Sequence, residues 1–181
     1  LRWTAARGPS RLLQSVLRIN QAQNFDEFRE ALRYWEIPSQ NFVYADVDGN
    51  IGYQAPGLIP IRRNGQGLVP VPGWTDEYEW DGFIPFEQLP AMLNPERGYI
   101  VTANHAVVDE QYPYFINRDW ASGDRGKRID DVITEIIAAR PINADDIARI
   151  HIDSQPLPAG PYLPPPAGRG PHNNRDHAEQ G

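Results

Sequence analysis

Cysteine is absent from the 181 residues of this chain. Disulfide bonds, thiolate nucleophiles and cysteine-based zinc sites are therefore excluded. No apolar run approaches the roughly 20 residues that a membrane-spanning helix needs. The first residues also lack the basic start and apolar stretch of a signal peptide. We therefore expect no membrane partner for these residues.

Basic residues are too few for a general nucleic-acid surface. Lys and Arg number 17 against 24 Asp and Glu, which gives a net charge of -7 and a pI near 5.0. Because phosphate binding requires clustered positive charge, we expect no nucleic-acid partner. The four histidines have no metal-ligand spacing. The five serines lie outside any Gly-x-Ser-x-Gly or Ser-x-x-Lys motif, so the sequence offers no activated nucleophile.

Two amphipathic helices are predicted near the N-terminus. Ser10 is the expected N-cap of a helix that runs to about Asn20. Asn24 is the expected N-cap of a second helix that ends before Pro38, and Glu27 is placed to complete a capping box. The apolar residues of the second helix share one face, which we expect to be buried: Phe25, Phe28, Leu32 and Trp35.

A β-hairpin is the clearest local signal in the chain. The β-prone residues 42–47 and the returning residues 50–54 flank Asp48-Gly49, which predicts a two-residue turn with positive φ at both positions. The acidic turn also has a superficial likeness to a calcium-binding loop. That interpretation is disfavoured, because Gly49 stands at loop position 4 rather than 6, and strands flank the turn instead of helices.

The remaining chain predicts an irregular excursion, two more helices and a polar tail. Residues 55–97 hold many prolines and glycines, with one short helix expected near 86–93, and residues 99–103 resemble a strand. Residues 129–137 are periodic at helical spacing, and Asn143 is expected to cap a last helix. Residues 155–181 form a Pro/Gly-rich polar tail that we expect to be disordered. The predicted fold class is therefore α+β.

Six segments, in order along the chain, resemble the β subunit of the penicillin acylase (penicillin amidase) family. The longest is residues 40–53, QNFVYADVDGNIGY. The others are residues 1–5 (LRWTA), 57–62 (GLIPIR), 70–74 (PVPGW), 78–86 (YEWDGFIPF) and 94–104, which opens with Asn-Pro and closes on GYIVTAN. The match runs from residue 1 to about 152, and we therefore assign residues 1–154 to part of the acylase β-subunit domain.

This resemblance implies a known chemistry and a known fold. The family consists of N-terminal-nucleophile hydrolases with an αββα sandwich fold, which cleave linear amide bonds of N-acyl compounds such as penicillin-type side chains and acyl-homoserine lactones. In the family, the β subunit begins with a catalytic Ser whose own α-amino group acts as base through a water molecule. Leu1 does not match that Ser. The resemblance thus implies that the α subunit and the remainder of the β subunit are missing partners, and that this chain alone is inactive.

Two residues match functional positions of the family. Asn41 corresponds to a side-chain amide of the oxyanion hole, which stabilises the tetrahedral intermediate; a strand-end Asn that caps a turn is the competing interpretation. Arg62 corresponds to a position near the substrate, where a guanidinium could bind a carboxylate; a surface Arg beside Arg63 is the alternative. Asn104 is expected to give structural support.

Cofactor, compartment and a second function class stay open at this stage. We expect no cofactor; some relatives bind calcium, so calcium in the intact enzyme remains open, with no ligand assigned. The compartment is not fixed by the sequence, although the resemblance implies a periplasmic or secreted enzyme. The alternative function is a non-catalytic binding module that uses exposed aromatic residues as a sugar or peptide platform: Trp74, Tyr78, Trp80 and Tyr114.

Overall fold

The structure is a computed structural model that describes residues 1–155 and residue 157. The described residues form two compact units, Leu1–Ala121 and a second unit that begins at Ser122. Helices and small antiparallel sheets confirm the predicted α+β class. The predicted disorder of residues 155–181 falls almost entirely outside the described residues. All described helices, including the longest at 16 residues, fall short of the length and apolarity that a bilayer span requires.

The first unit contains two helices and two sheets. The helices are α1 (Leu12–Ile19) and α2 (Phe25–Leu32). A three-stranded antiparallel sheet has the order β1-β2-β5, and a two-stranded sheet pairs β3 with β4. The strands are β1 (Phe42–Ala45), β2 (Ile51–Gln54), β3 (Pro60–Arg62), β4 (Trp80–Phe83) and β5 (Ala91–Leu93).

The N-terminal helices confirm the periodic pattern of the sequence. The Asn24 side chain accepts a hydrogen bond from the Glu27 backbone N–H at 2.9 Å, as expected for an N-cap. The Glu27 carboxylate reaches back to the backbone N–H of Gln23 rather than to that of Asn24. The first helix begins slightly later than predicted, because Arg11 takes the N-cap position while the Ser10 hydroxyl accepts from the Leu12 N–H.

The main core of this unit lies between α2 and one face of the three-stranded sheet. Phe25, Phe28 and Leu32 are buried there, and Phe42 and Tyr44 of β1 pack edge-on against the phenyl rings. A side chain at Gly52 would overlap the Phe25 ring, so only glycine lets α2 approach β2 this closely. Because strand residues alternate between faces, this packing leaves Val43 and Tyr53 on the opposite face of the sheet.

The hairpin is confirmed, but its turn is longer than the two residues predicted. Ala45 pairs with Ile51, and only Gly49 has a positive φ, of 87°. The Asp46 carboxylate stabilises the longer turn, because it accepts hydrogen bonds from the backbone N–H groups of Asp48 and Asn50. The Asn50 side-chain amide also donates to Asp46 and is the largest cause of its lowered pKa.

Two other element predictions are wrong for identifiable reasons. The helix expected near 86–93 is a single short 3-10 turn, Phe86–Gln88, because Leu89 precedes Pro90 and is forced into an extended conformation with ψ 146°. The residues after Pro90 instead form β5 and pair with β2. The strand expected at 99–103 is irregular, because no described strand lies beside it and β-propensity needs a pairing partner.

The second unit confirms both predicted helices, α3 (Asp124–Ala139) and α4 (Ala144–Ile152). Asn143 and Asp146 form a complete capping box at the start of α4. The carboxylate of Asp146 also accepts two hydrogen bonds from the Arg140 guanidinium, at 2.6 and 2.7 Å. These bonds lower the pKa of Asp146 to about 2, which keeps the carboxylate charged although its side chain is buried.

Candidate functional site

A cleft of about 430 Å³ lies in the first unit beside the residues that enter β1 and leave β2. Apolar and neutral polar side chains both line it. Asp119 is the one charged side chain among its described lining residues. The lining residues are Ser39, Gln40, Asn41, Ala55, Ile59, Asn104, Val107, Ile116, Asn117, Asp119 and Trp120. A cleft of this kind can hold an organic ligand and orient it with a few amide groups.

Asn41 is placed at this cleft by the first strand of the hairpin. It directly precedes β1, and its side chain is exposed. The hydroxyl of Tyr53, on β2, donates a hydrogen bond to Asn41 Oδ1 at 2.6 Å. In the described part of the chain this is the single hydrogen bond of the Asn41 side chain, so its Nδ2 group keeps both N–H donors for a ligand. Tyr53 itself is 2% exposed, and burial raises its pKa to about 12.

The neighbouring polar residues of the cleft are mostly engaged in holding its walls. The Ser39 hydroxyl donates to the Pro56 carbonyl at 2.9 Å, which makes it a structural group rather than a nucleophile. Asn117 Oδ1 accepts hydrogen bonds from the backbone N–H groups of the next two residues. Asn104 adopts a left-handed conformation with φ 62°, and its carbonyl accepts from the Ala121 N–H. The sequence pointed to Asn104 only as structural support, whereas it also lines the cleft.

Arg62 lies on β3 and lines a different, smaller cavity of about 180 Å³. The structure therefore does not bring the two predicted site residues, Asn41 and Arg62, into one cleft. The Arg62 guanidinium packs against Gly67, where an added Cβ would come within 2.8 Å of Nε. Arg62 is half-buried, and its guanidinium forms no hydrogen bond or ion pair within residues 1–155 and 157. A guanidinium in this state is available to bind a carboxylate.

The adjacent Arg63 is used quite differently. It is exposed, and its guanidinium donates two hydrogen bonds to Asp81 Oδ1, at 2.8 and 3.1 Å, and one to the Asp76 carbonyl. These contacts tie β3 to β4 and to the preceding loop, and the Asp81 pair raises the pKa of Arg63. The two arginines are therefore separable by structure: Arg63 holds the small sheet together, while Arg62 is free for a ligand in the described part of the chain.

The four aromatic residues of the alternative interpretation differ in their exposure and contacts. Trp74 is 85% exposed. Trp80 packs edge-on against Phe83 and beneath the Arg2 guanidinium, and the Tyr114 hydroxyl donates to Gln88. An aromatic platform needs several open ring faces, and the structure provides one clearly open ring among the four.

In the part of the chain that the structure describes, no three acidic, histidine or cysteine side chains converge on a metal position.

A family model and individual relatives both show that this chain is similar to acylases. The penicillin amidase family model matches residues 1–179. Penicillin acylase 2 proenzyme of Pseudomonas sp. (strain SE83) is 36% identical over 139 residues, which is 77% of this chain and 18% of that protein. Acyl-homoserine lactone acylase QuiP of Pseudomonas fluorescens (strain Pf0-1) is 36% identical over 117 residues, 65% of this chain and 14% of that protein. The chain thus spans less than a fifth of either relative.

A solved acylase structure is also similar to this chain. Thermostable penicillin G acylase from Alcaligenes faecalis superimposes with a TM-score of 0.59 and 29% sequence identity. The match covers 77% of this chain and 25% of that one. The backbone arrangement described above is therefore similar to a part of that acylase.

Proposed function

Because the chain belongs to the penicillin amidase family, we propose that it forms part of an amidohydrolase that cleaves the linear amide bond of N-acyl compounds. The substrate classes we propose are penicillin-type side-chain amides, N-acyl-homoserine lactones and related N-acyl compounds. The observation that supports this function most directly is the Asn41 amide, which presents unpaired N–H donors at the cleft of about 430 Å³ while its oxygen is held by Tyr53.

In this proposal Asn41 Nδ2 donates to the oxygen that becomes negatively charged during the reaction. The serine oxygen at the start of the β chain attacks the amide carbon, its proton passes through water to the α-amino group, and the tetrahedral oxyanion forms. The C–N bond then breaks and the amine leaves with a proton. Water next attacks the acyl ester, which releases the carboxylic acid and restores the serine. A neutral amide suits the oxyanion role because it remains a donor at any working pH.

The partners we propose follow from the same family membership. The relative from Pseudomonas sp. is named a proenzyme, which supports a precursor that is cut into subunits. The α subunit and the remainder of the β subunit would then supply the serine and the rest of the substrate site. We call the assembly of these parts with the present residues the intact enzyme.

Hydrolysis of chromogenic acyl anilides tests the function. We expect the intact enzyme to hydrolyse at least one of a phenylacetyl anilide, a longer-chain acyl anilide and an N-acyl-homoserine lactone. We expect the 181-residue chain alone to give no hydrolysis above the uncatalysed rate, because the proposal places the serine nucleophile outside these residues. Activity that rises with the concentration of the isolated chain would contradict the proposed location of the nucleophile. An intact enzyme inert toward all three substrates would contradict the proposed function.

Arg62 is proposed to bind a polar or carboxylate group of the substrate, and its neighbour provides a matched control. Arg62→Lys keeps the charge but loses the planar fork of donors. We therefore expect kcat/KM to fall by about tenfold, which corresponds to the loss of one charge-assisted hydrogen bond. Arg63→Lys should leave kcat/KM within twofold, since the described partners of the Arg63 guanidinium are Asp81 and the Asp76 carbonyl, both outside the cavity that Arg62 lines. Equal losses for both variants would show a structural role for the pair and overturn the substrate role of Arg62.

A further inference from the structure

The link between Asn41 and Tyr53 joins the open edge of the cleft to the centre of the sheet. Tyr53 lies on β2, the middle strand, where it pairs with Val43 on one side and Met92 on the other. Its ring is almost completely buried, whereas Asn41 lies outside the strands and is exposed. One side chain of the pair is therefore rigid, and the other depends on it for a fixed orientation.

We propose that Tyr53 is the positioning residue of the Asn41 amide, whose oxygen it holds so that the N–H donors face the substrate. This inference rests on the proposed function, in which Asn41 binds the oxyanion. Tyr53 does not touch the substrate in this arrangement and acts only through Asn41.

Such a residue is needed because the oxygen and nitrogen ends of a side-chain amide have nearly the same size and shape. The terminal torsion of Asn is broad and roughly two-fold, so an unrestrained side chain alternates between two nearly isosteric orientations. One of them directs Nδ2 at the oxyanion and stabilises it, while the other directs Oδ1 there and repels it. In the described part of the chain, Asn41 has no second hydrogen bond that would distinguish the two orientations.

Tyr53 is suited to make this distinction at every working pH. Its hydroxyl donates to Oδ1 at 2.6 Å, a short bond that an amide nitrogen in the same place could not accept. Because burial raises the pKa of Tyr53 to about 12, the hydroxyl keeps its proton well into the alkaline range. Because β2 is paired on both sides and the Tyr53 ring is buried, both the backbone and the ring of Tyr53 are held in place.

Removing only the hydroxyl tests the proposal. Tyr53→Phe in the intact enzyme should lower kcat by about tenfold, since the oriented population of the amide falls and one hydrogen bond is lost. KM should stay within twofold, because the ground-state substrate carries no oxyanion. Tyr44→Phe is the matched control: it removes a hydroxyl from the neighbouring strand that donates to Asp46 Oδ2 at 3.0 Å, and kcat should stay within twofold.

A double-mutant cycle separates the positioning role from the proposed function. In an Asn41→Ala background, Tyr53→Phe should have no further effect on kcat, because nothing remains to be oriented. An equal loss in both backgrounds, or no loss in either, would overturn the positioning role while leaving the function of Asn41 intact. If Asn41→Ala itself leaves kcat unchanged, the proposed function of Asn41 fails first, and the positioning role fails with it.

A second variant keeps the test decisive if Tyr53→Phe folds poorly. A polyfluorinated tyrosine at position 53 retains the ring and the hydroxyl but ionises at lower pH. We expect its kcat to fall on the alkaline side, where the phenolate no longer donates to Asn41 Oδ1, while the parent enzyme keeps its kcat there. The same substitution at position 44 should leave the pH profile of the parent. Identical profiles for the parent and the position-53 variant would contradict the proposal.

Discussion

Replacing Asn41 by alanine in the intact enzyme is expected to lower kcat by about 100- to 1,000-fold, the usual cost of removing one oxyanion-hole donor. The loss should appear in kcat and in kcat/KM alike, because the donor acts on charge that develops only in the transition state. Folding should be preserved, since Asn41 is exposed, lies outside the strands and has one described side-chain partner, the Tyr53 hydroxyl. Acyl anilide kinetics, together with the melting temperature, provide the measurement.

The adjacent residue is a close control for this prediction. Gln40 lines the same cleft, is also exposed and also carries a primary amide. It makes no hydrogen bond within the described residues, so its amide is not held in one orientation. Gln40→Ala should therefore change kcat by less than threefold. A loss under threefold for Asn41→Ala would remove Asn41 from the oxyanion hole and favour its role as a strand-end residue.

The elements that could be predicted from the sequence are those with local signals. Helix α4 begins where Asn143 and Asp146 satisfy each other's backbone, and α2 begins where Asn24 accepts from Glu27. Both signals lie within four residues of the helix start, so they need no knowledge of the remaining chain. The periodic burial of Phe25 and Phe28 on α2 is local in the same sense, because one face of a helix repeats every three to four residues.

The errors occurred where a distant or competing contact decided the outcome. Residues 91–93 form a strand because they pair with the edge of β2. That partner strand lies some 40 positions earlier in the sequence. Residues 99–103 have β-propensity and no partner strand in the described structure. The turn at Gly49 was mispredicted because the Asp46 side chain competes with the backbone for the N–H groups of the turn.

The candidate site shows the same division between local identity and distant arrangement. The residue types at positions 41 and 62 could be matched to a family pattern from sequence alone. Their separation into two cavities could not, since it depends on how β3 leaves the hairpin sheet and pairs with β4. The hydroxyl of Tyr53 gave no separate signal, because a tyrosine in a strand is most often a packing residue. Its hydrogen bond to Asn41 distinguishes it, and only the structure contains that bond.

Leu32→Ala is expected to destabilise the first unit by about 2 to 5 kcal/mol. Leu32 lies on α2 and is fully buried in the cluster that also contains Phe25 and Phe28. The substitution removes the buried side chain beyond Cβ, and the large aromatic neighbours can fill the resulting cavity only partly. This core supports β1 and β2 on the face opposite Tyr53, so the same loss would loosen the platform of the candidate site.

An identical substitution on α1 provides the control. Leu13 is 70% exposed, so Leu13→Ala removes little buried surface and should change the free energy of unfolding by less than about 0.5 kcal/mol. Urea unfolding of the 181-residue chain, followed by tryptophan fluorescence, reports on the correct unit, because all five tryptophans precede Ser122. Similar costs for the two variants would mean that Leu13 is buried in solution as Leu32 is. A Leu32→Ala cost below about 1 kcal/mol would mean that α2 does not pack on the sheet as described.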